Sequence, residues 1–181
     1  MKETPAKWIT KTAIFLAILI AFQAVTAPLQ MTLITGSLVN LTLIMTVILA
    51  GLSSGITVAA ISPIMAFMLG IGPKLLPLIP CIMVGNVVLV LIWYFVVMKL
   101  RLSDIVKYVI ATISAAVVKF IVLYLLVVQM MIPLLGIPAM QSKLISTMFS
   151  LPQLITALIG GVIAILLLPM LTNVARKKGW N

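Results

Sequence analysis

Apolar residues fill this chain in long runs, and polar residues gather in the short gaps between them. A helix needs about 20 apolar residues to cross the hydrocarbon core of a bilayer. Six runs read as spans, at about 8–27, 33–52, 56–69, 76–98, 108–132 and 149–171. The first ends at Pro28, and Ser53-Ser54-Gly55 reads as a tight turn between the second and third. The third is short and stops at Gly70-Ile71-Gly72-Pro73. Pro77 and Pro80 fall in the first turns of the fourth, where a missing N–H is tolerated. Polar loops at 99–107 and 133–143 set off the last two spans. The pattern predicts an all-α integral membrane protein: one membrane domain, 1–181, with six transmembrane helices. The first run is long and has no small-x-small site before Pro28, so it reads as a span and not as a cleaved leader.

Basic residues orient the spans. Lys2, Lys7 and Lys11 are taken to lie before the first, Lys99, Arg101 and Lys107 between the fourth and fifth, and Arg176, Lys177 and Lys178 after the sixth. With six spans these nine fall on one side, against Lys74 and Lys143 on the other, which predicts both termini in the cytoplasm. Five or seven spans would split the clusters. The three outer connections then lie at about 28–32, 70–75 and 133–148, either as plain connectors or as a lid over a cavity.

Composition narrows the chemistry. The chain is 64% hydrophobic and only 8% charged, with a net charge of +10. The positive balance sits at span ends and not in a stripe with interleaved aromatics, so it points to membrane topology rather than to nucleic acid. There is no histidine, one cysteine (Cys81), and two acids, Glu3 and Asp104. No metal cluster, no catalytic triad and no pair of intramembrane carboxylates can be assembled from that set. No GxxxxGK[ST] motif is present, so ATP is not hydrolysed by that route. The chain is expected to be no enzyme, with no catalytic residue, metal or cofactor of its own.

One charge interrupts the apolar runs. Lys119 lies midway along the fifth span, in ISAAVVKFIVLYLL. At helical spacing it shares a face with Ala111, Thr112, Ala115 and Ala116, small residues of the kind that pack against other helices. Lys119 is therefore predicted to point into the bundle, where an ionisable side chain is costly and a functional candidate. Asp104 is some four turns away, so its partner must be a carbonyl, an amide, water or a ligand. The alternative role is bonding to backbone oxygens. Amides and a phenol lie at related depths: Asn40 beside Gly36 and Ser37, Asn86 after Gly85, Gln153 on a face with Ser150, Thr156, Ala157 and Gly160, and Tyr124 and Gln129 further out than Lys119. Any of these can glue helices or hold a ligand. Together they outline an outward-facing pocket among spans four to six. In the first span, Ala13, Ala17 and Ala21 repeat every four residues, a ridge for close helix approach. It suits either internal packing or a partner helix.

These features resemble the substrate-binding S component of the energy-coupling factor (ECF) vitamin transporters. The resemblance covers nearly the whole chain and rests on the alanine ridge, TGSLVN (35–40), the GLSSG segment, SPIMAFMLGIGP followed by VGN (84–86), VVKFIVLY and PQLITALIGG. It looks closest to the small hydroxymethylpyrimidine/pyridoxine-like branch. The resemblance implies a multi-pass protein of the bacterial cytoplasmic membrane that captures a vitamin or precursor from outside. It implies partners: a transmembrane T component and two cytoplasmic ATPases that carry the ATP and Mg²⁺. It also implies docking of the T component on Ala13, Ala17 and Ala21, and toppling of the subunit to release substrate. Lys119, Asn86 and Gln153 fall in the ligand region, with Asn40, Tyr124 and Gln129 as further candidates. Sparse outer aromatics (Phe67, Tyr124, Phe149) favour a small ring compound over a large flat one. A buried lysine favours an anion such as pantothenate. A non-ECF carrier or an assembly subunit is the other reading, although a proton- or sodium-coupled carrier usually needs intramembrane acids.

Overall fold

The computed structural model describes residues 4–177, and the side chains of 175–177 lie outside that description, as do Lys2 and Lys178. The described residues form helices joined by short connections, with no strand among them. We number the helices α1 (Pro5–Thr26), α2 (Thr32–Ala50), α3 (Leu52–Met68), α4 (Ile79–Lys99), α5 (Asp104–Leu123), α6 (Ala139–Met148) and α7 (Leu151–Lys177). Five segments are long and apolar enough to cross a membrane: Pro5–Leu29, Thr32–Ala50, Leu76–Lys99, Asp104–Leu134 and Ala139–Val174. The remaining apolar helix, α3, has 17 residues, the lower end of the range that spans a bilayer. The chain is a multi-pass membrane protein.

α2 is the central helix. Of its apolar window 67% is buried inside the molecule, against 28–39% for the other four spans. It can be central because its polar residues are buried on their own carbonyls: the hydroxyls of Ser37, Thr42 and Thr46 donate to Leu33, Leu38 and Thr42. α7 approaches it at glycine. A Cβ on Gly160 would stand 2.8 Å from the Ser37 carbonyl oxygen and 2.9 Å from Asn40 Cβ, and one on Gly161 would collide with the Thr112 side chain of α5. The Gly160-Gly161 pair thus seats α7 against α2 and α5 at once.

The turn between α2 and α3 falls at Gly51 (φ 88°), and not at the expected Ser53-Ser54-Gly55. Only glycine takes that conformation cheaply, so one residue suffices to reverse the chain. Ser54 then serves in packing: Thr12 Oγ1 of α1 donates to its Oγ at 2.8 Å. The expected loop at 133–143 is also partly wrong, because α6 runs from Ala139 to Met148 and takes in Lys143. Lys11 is corrected too. It is buried in α1, on the face of Thr12, Phe15, Leu19 and Gln23.

Beyond Leu123 the Asp104–Leu134 segment changes winding. Tyr124–Met131 is π-helix, followed by a short α-turn at Ile132–Leu134. The π winding ends just before Pro133, which lacks the N–H that an α-helix would return to Gln129.

Candidate functional site

The ends of α1 and α3, the starts of α2, α4 and α7, and the middle of α5 enclose a cavity of ≈ 130 Å³. It lies at the end of the bundle that carries the 27–31, 69–78 and 132–150 connections. A second space of ≈ 330 Å³ lies beside it, bounded by Ala27, Gln30, Met31 and Leu144. The two share Thr32, Thr35, Ile71, Gly72, Pro73 and Met148. We read the larger space as the mouth and the smaller as the site.

The polar centre of the site is built on Lys119, which is 3% exposed. Its Nζ donates to Asn40 Oδ1 at 2.6 Å and to Asn86 Oδ1 at 2.8 Å. Asn40 Nδ2 passes the connection to Thr156 Oγ1 at 3.3 Å, and Thr156 donates to the Gln153 carbonyl at 3.1 Å. One network therefore ties α2, α4, α5 and α7 together. The lysine faces inward because its neighbours on the buried face of α5 are Ala111, Thr112, Ala115 and Ala116, which leave room for a long side chain. Asn86 reaches it because Gly85 lets α4 close on Leu123 of α5, where a Cβ would come within 2.7 Å. An ammonium has three N–H donors, and two are taken by amide carbonyls. Among the described residues the one carboxylate is Asp104, and it pairs with Lys107 at 2.7 Å. Lys119 is thus held by dipoles alone.

Lys119, Asn40, Asn86 and Gln153 all line the cavity. The Gln153 amide donates to the Met148 carbonyl at 3.1 Å, which closes the turn from α6 to α7. Phe67 and Phe149 line it as well. Tyr124 and Gln129 do not. Gln129 is exposed and donates to the Tyr124 hydroxyl at 3.0 Å. These residues are five apart, the spacing that a π-helix stacks, so the change of winding pairs them with each other on the outside of the bundle.

Sequence reasoning missed Gln23. It is 1% exposed, lines the cavity, and donates from Nε2 to the Ser62 carbonyl at 3.1 Å and to Ser62 Oγ at 3.4 Å. Its Oε1 is buried without a hydrogen-bond partner among the described residues. The available signal was its position: Gln23 follows Thr12, Phe15 and Leu19 at helical spacing on the face of α1 opposite the alanine ridge. That ridge faces out. Ala13, Ala17 and Ala21 are exposed, and α1 packs on the bundle through the Phe15–Leu19–Gln23 face instead. Internal packing of the ridge is ruled out within this chain.

Residues 7–172 match the family model of the ECF transporter, substrate-specific component. The chain belongs to that family. No curated protein and no solved structure matches it. Membership makes it the substrate-specific subunit of an ECF transporter, a binding subunit and not a catalyst, and implies association with a T component and ATPases.

Proposed function

We propose that this subunit captures a small ring-shaped vitamin or vitamin precursor, of the hydroxymethylpyrimidine or pyridoxine type, in the cavity above Lys119. The observation that carries this reading is the match of cavity and lining. The volume of ≈ 130 Å³ is close to the roughly 150 Å³ that holds a single benzene ring in a protein core. Lys119, Asn86, Asn40 and Gln153 supply donors and acceptors for ring edges, and Phe67 and Phe149 supply apolar faces. A large tricyclic vitamin finds too little room and too little stacking surface.

The six-span arrangement, with both termini in the cytoplasm of a bacterial cell, belongs to the same proposal. It is supported by the basic residues. Lys7, Lys99, Arg101 and Lys107 lie at the end of the bundle away from the cavity, and Lys74 and Lys143 at the cavity end. By the positive-inside rule the cavity then faces outward. ATP and Mg²⁺ are left to the partner ATPases, and the exposed alanines of α1 are the proposed seat of the T component.

One observation favours a second ligand. The single charge at the cavity is a cation with no carboxylate beside it, which suits an anionic vitamin such as pantothenate. Mass spectrometry of small molecules released from gently purified protein decides the matter. A neutral pyrimidine or pyridine is expected. A carboxylate vitamin would overturn the proposal and make Lys119 its counter-ion.

A further inference from the structure

The cavity has a second polar group, on α1, a helix that takes no part in the lysine network. Gln23 of α1 holds the Ser62 main-chain carbonyl with its Nε2. That contact fixes which way the amide points, because a carbonyl oxygen only accepts and must be faced by nitrogen. Oε1 is therefore the free end, and it is buried with no donor among the described residues. A buried acceptor left unpaired is costly, and native proteins keep few of them. The place from which a donor can come is the cavity that Gln23 lines. Around it the wall is made by Ser62, Pro63, Ala66 and Phe67 of α3, and Pro63 has no N–H to offer.

We infer that Gln23 is a specificity-determining residue whose Oε1 accepts a hydrogen bond from an N–H or O–H group of the bound molecule. The same cavity also offers the ammonium of Lys119, a donor. The preferred ligand then carries a hydrogen-bond donor on one edge and an acceptor on another. Exocyclic amino or hydroxyl groups on a nitrogen heterocycle meet both demands, and an apolar ring of the same size meets neither. This deepens the ring-vitamin reading and rests on it. Discrimination of this kind is strong because a site built to bond a polar group leaves its own atoms unpaired when that group is missing.

The test uses the full chain in lipid nanodiscs and two matched ligand pairs. One is hydroxymethylpyrimidine bearing its amino group, and the same molecule with hydrogen in its place. The other is pyridoxine with and without its ring hydroxyl. Wild-type protein is expected to prefer the donor-bearing member of the pair it binds by about tenfold, the scale of one well-made hydrogen bond. Gln23→Met is expected to bind both members equally. Asn86→Leu should weaken both and keep the preference, which separates donor reading from general damage. A preference undiminished in Gln23→Met overturns the inference. Binding of neither pair by wild-type protein would instead sink the ring-vitamin reading. Gln23 is then decided on the empty protein: an unchanged or higher Tm for Gln23→Met supports an acceptor reserved for ligand, and a Tm lowered by several degrees makes Gln23 a structural tie between α1 and α3.

Discussion

Asn40 and Lys119 stand 79 residues apart in sequence and meet at 2.6 Å inside the bundle. The bond runs from the most buried helix, α2, to the one charged side chain shown to line the cavity. It gives the cavity a fixed polar floor. Asn86 braces the same ammonium from α4 at 2.8 Å, so Lys119 is held in a fork of two amide oxygens and has one N–H left to offer. Burying such a group is expensive even when it is bonded, and the site retains it.

Replacing Lys119 by Met removes the donor that both amides share. Ligand affinity should fall by at least tenfold. Two buried carbonyl oxygens lose their partner at about 1–3 kcal/mol each, partly offset by removal of a buried charge, so the fold should survive with a modest change in Tm. Asn86→Leu acts on the same network, and the two substitutions together should cost less than their sum. Titration calorimetry on the two single variants and the double variant checks this. Strict additivity would mean that the two residues act on the ligand separately.

A carboxylate beside Lys119 separates the two ligand readings. Asn86→Asp supplies a counter-ion in place of a dipole. A neutral ring compound should still bind within about tenfold of wild type, since a hydrogen-bond acceptor is kept. An anionic vitamin should lose binding outright, because the new carboxylate repels it and occupies the ammonium. Measuring both ligand classes on this one variant tells them apart, and loss of the neutral ligand alone would contradict the proposed function.

Close packing at Gly160 gives a third expectation. A methyl group there meets the Ser37 main-chain oxygen and Asn40 Cβ, and backbone cannot step aside as a flexible side chain can. Gly160→Ala should destabilise the protein by roughly 1–3 kcal/mol, the usual cost of overpacking. It should also weaken ligand binding, because α7 carries Thr156 and Gln153 against the Asn40 side of the site. Thermal unfolding in detergent, with and without ligand, reads both effects. An unchanged Tm would show that α7 can slide on α2.

Much of the architecture was legible in the sequence because a bilayer imposes a single strong demand: runs of about 20 apolar residues. The inward aim of Lys119 was legible for a related reason, since Ala111, Ala115 and Ala116 mark a helix-facing stripe. Turns were less legible. Gly51 and the Ser53-Ser54-Gly55 triplet are both good turn signals, and the choice of Gly51 depends on Ser54 and Gly55 finding places in the α1 and α4 interfaces. Tyr124 and Gln129 were candidates by depth alone, and depth along a helix does not tell which way a side chain faces; neither lines the cavity. Gln23 was overlooked because its role depends on Ser62, 39 residues away, and no local pattern connects them.

The outward face of α1 carries the last prediction. Ala13, Ala17 and Ala21 form a flat, exposed strip on a helix whose other face is fully used by Phe15, Leu19 and Gln23. Nothing in the isolated subunit needs those residues to be small. Ala17→Leu should therefore leave its Tm and ligand affinity unchanged, within about 0.5 kcal/mol. A partner helix that approaches the strip closely would be pushed away by the four-carbon side chain. Co-purification with the T component and the ATPases should fall sharply, while Ile14→Leu, beside the ridge, should leave it intact. Normal recovery of the complex with Ala17→Leu would move the T-component contact to another face of the bundle.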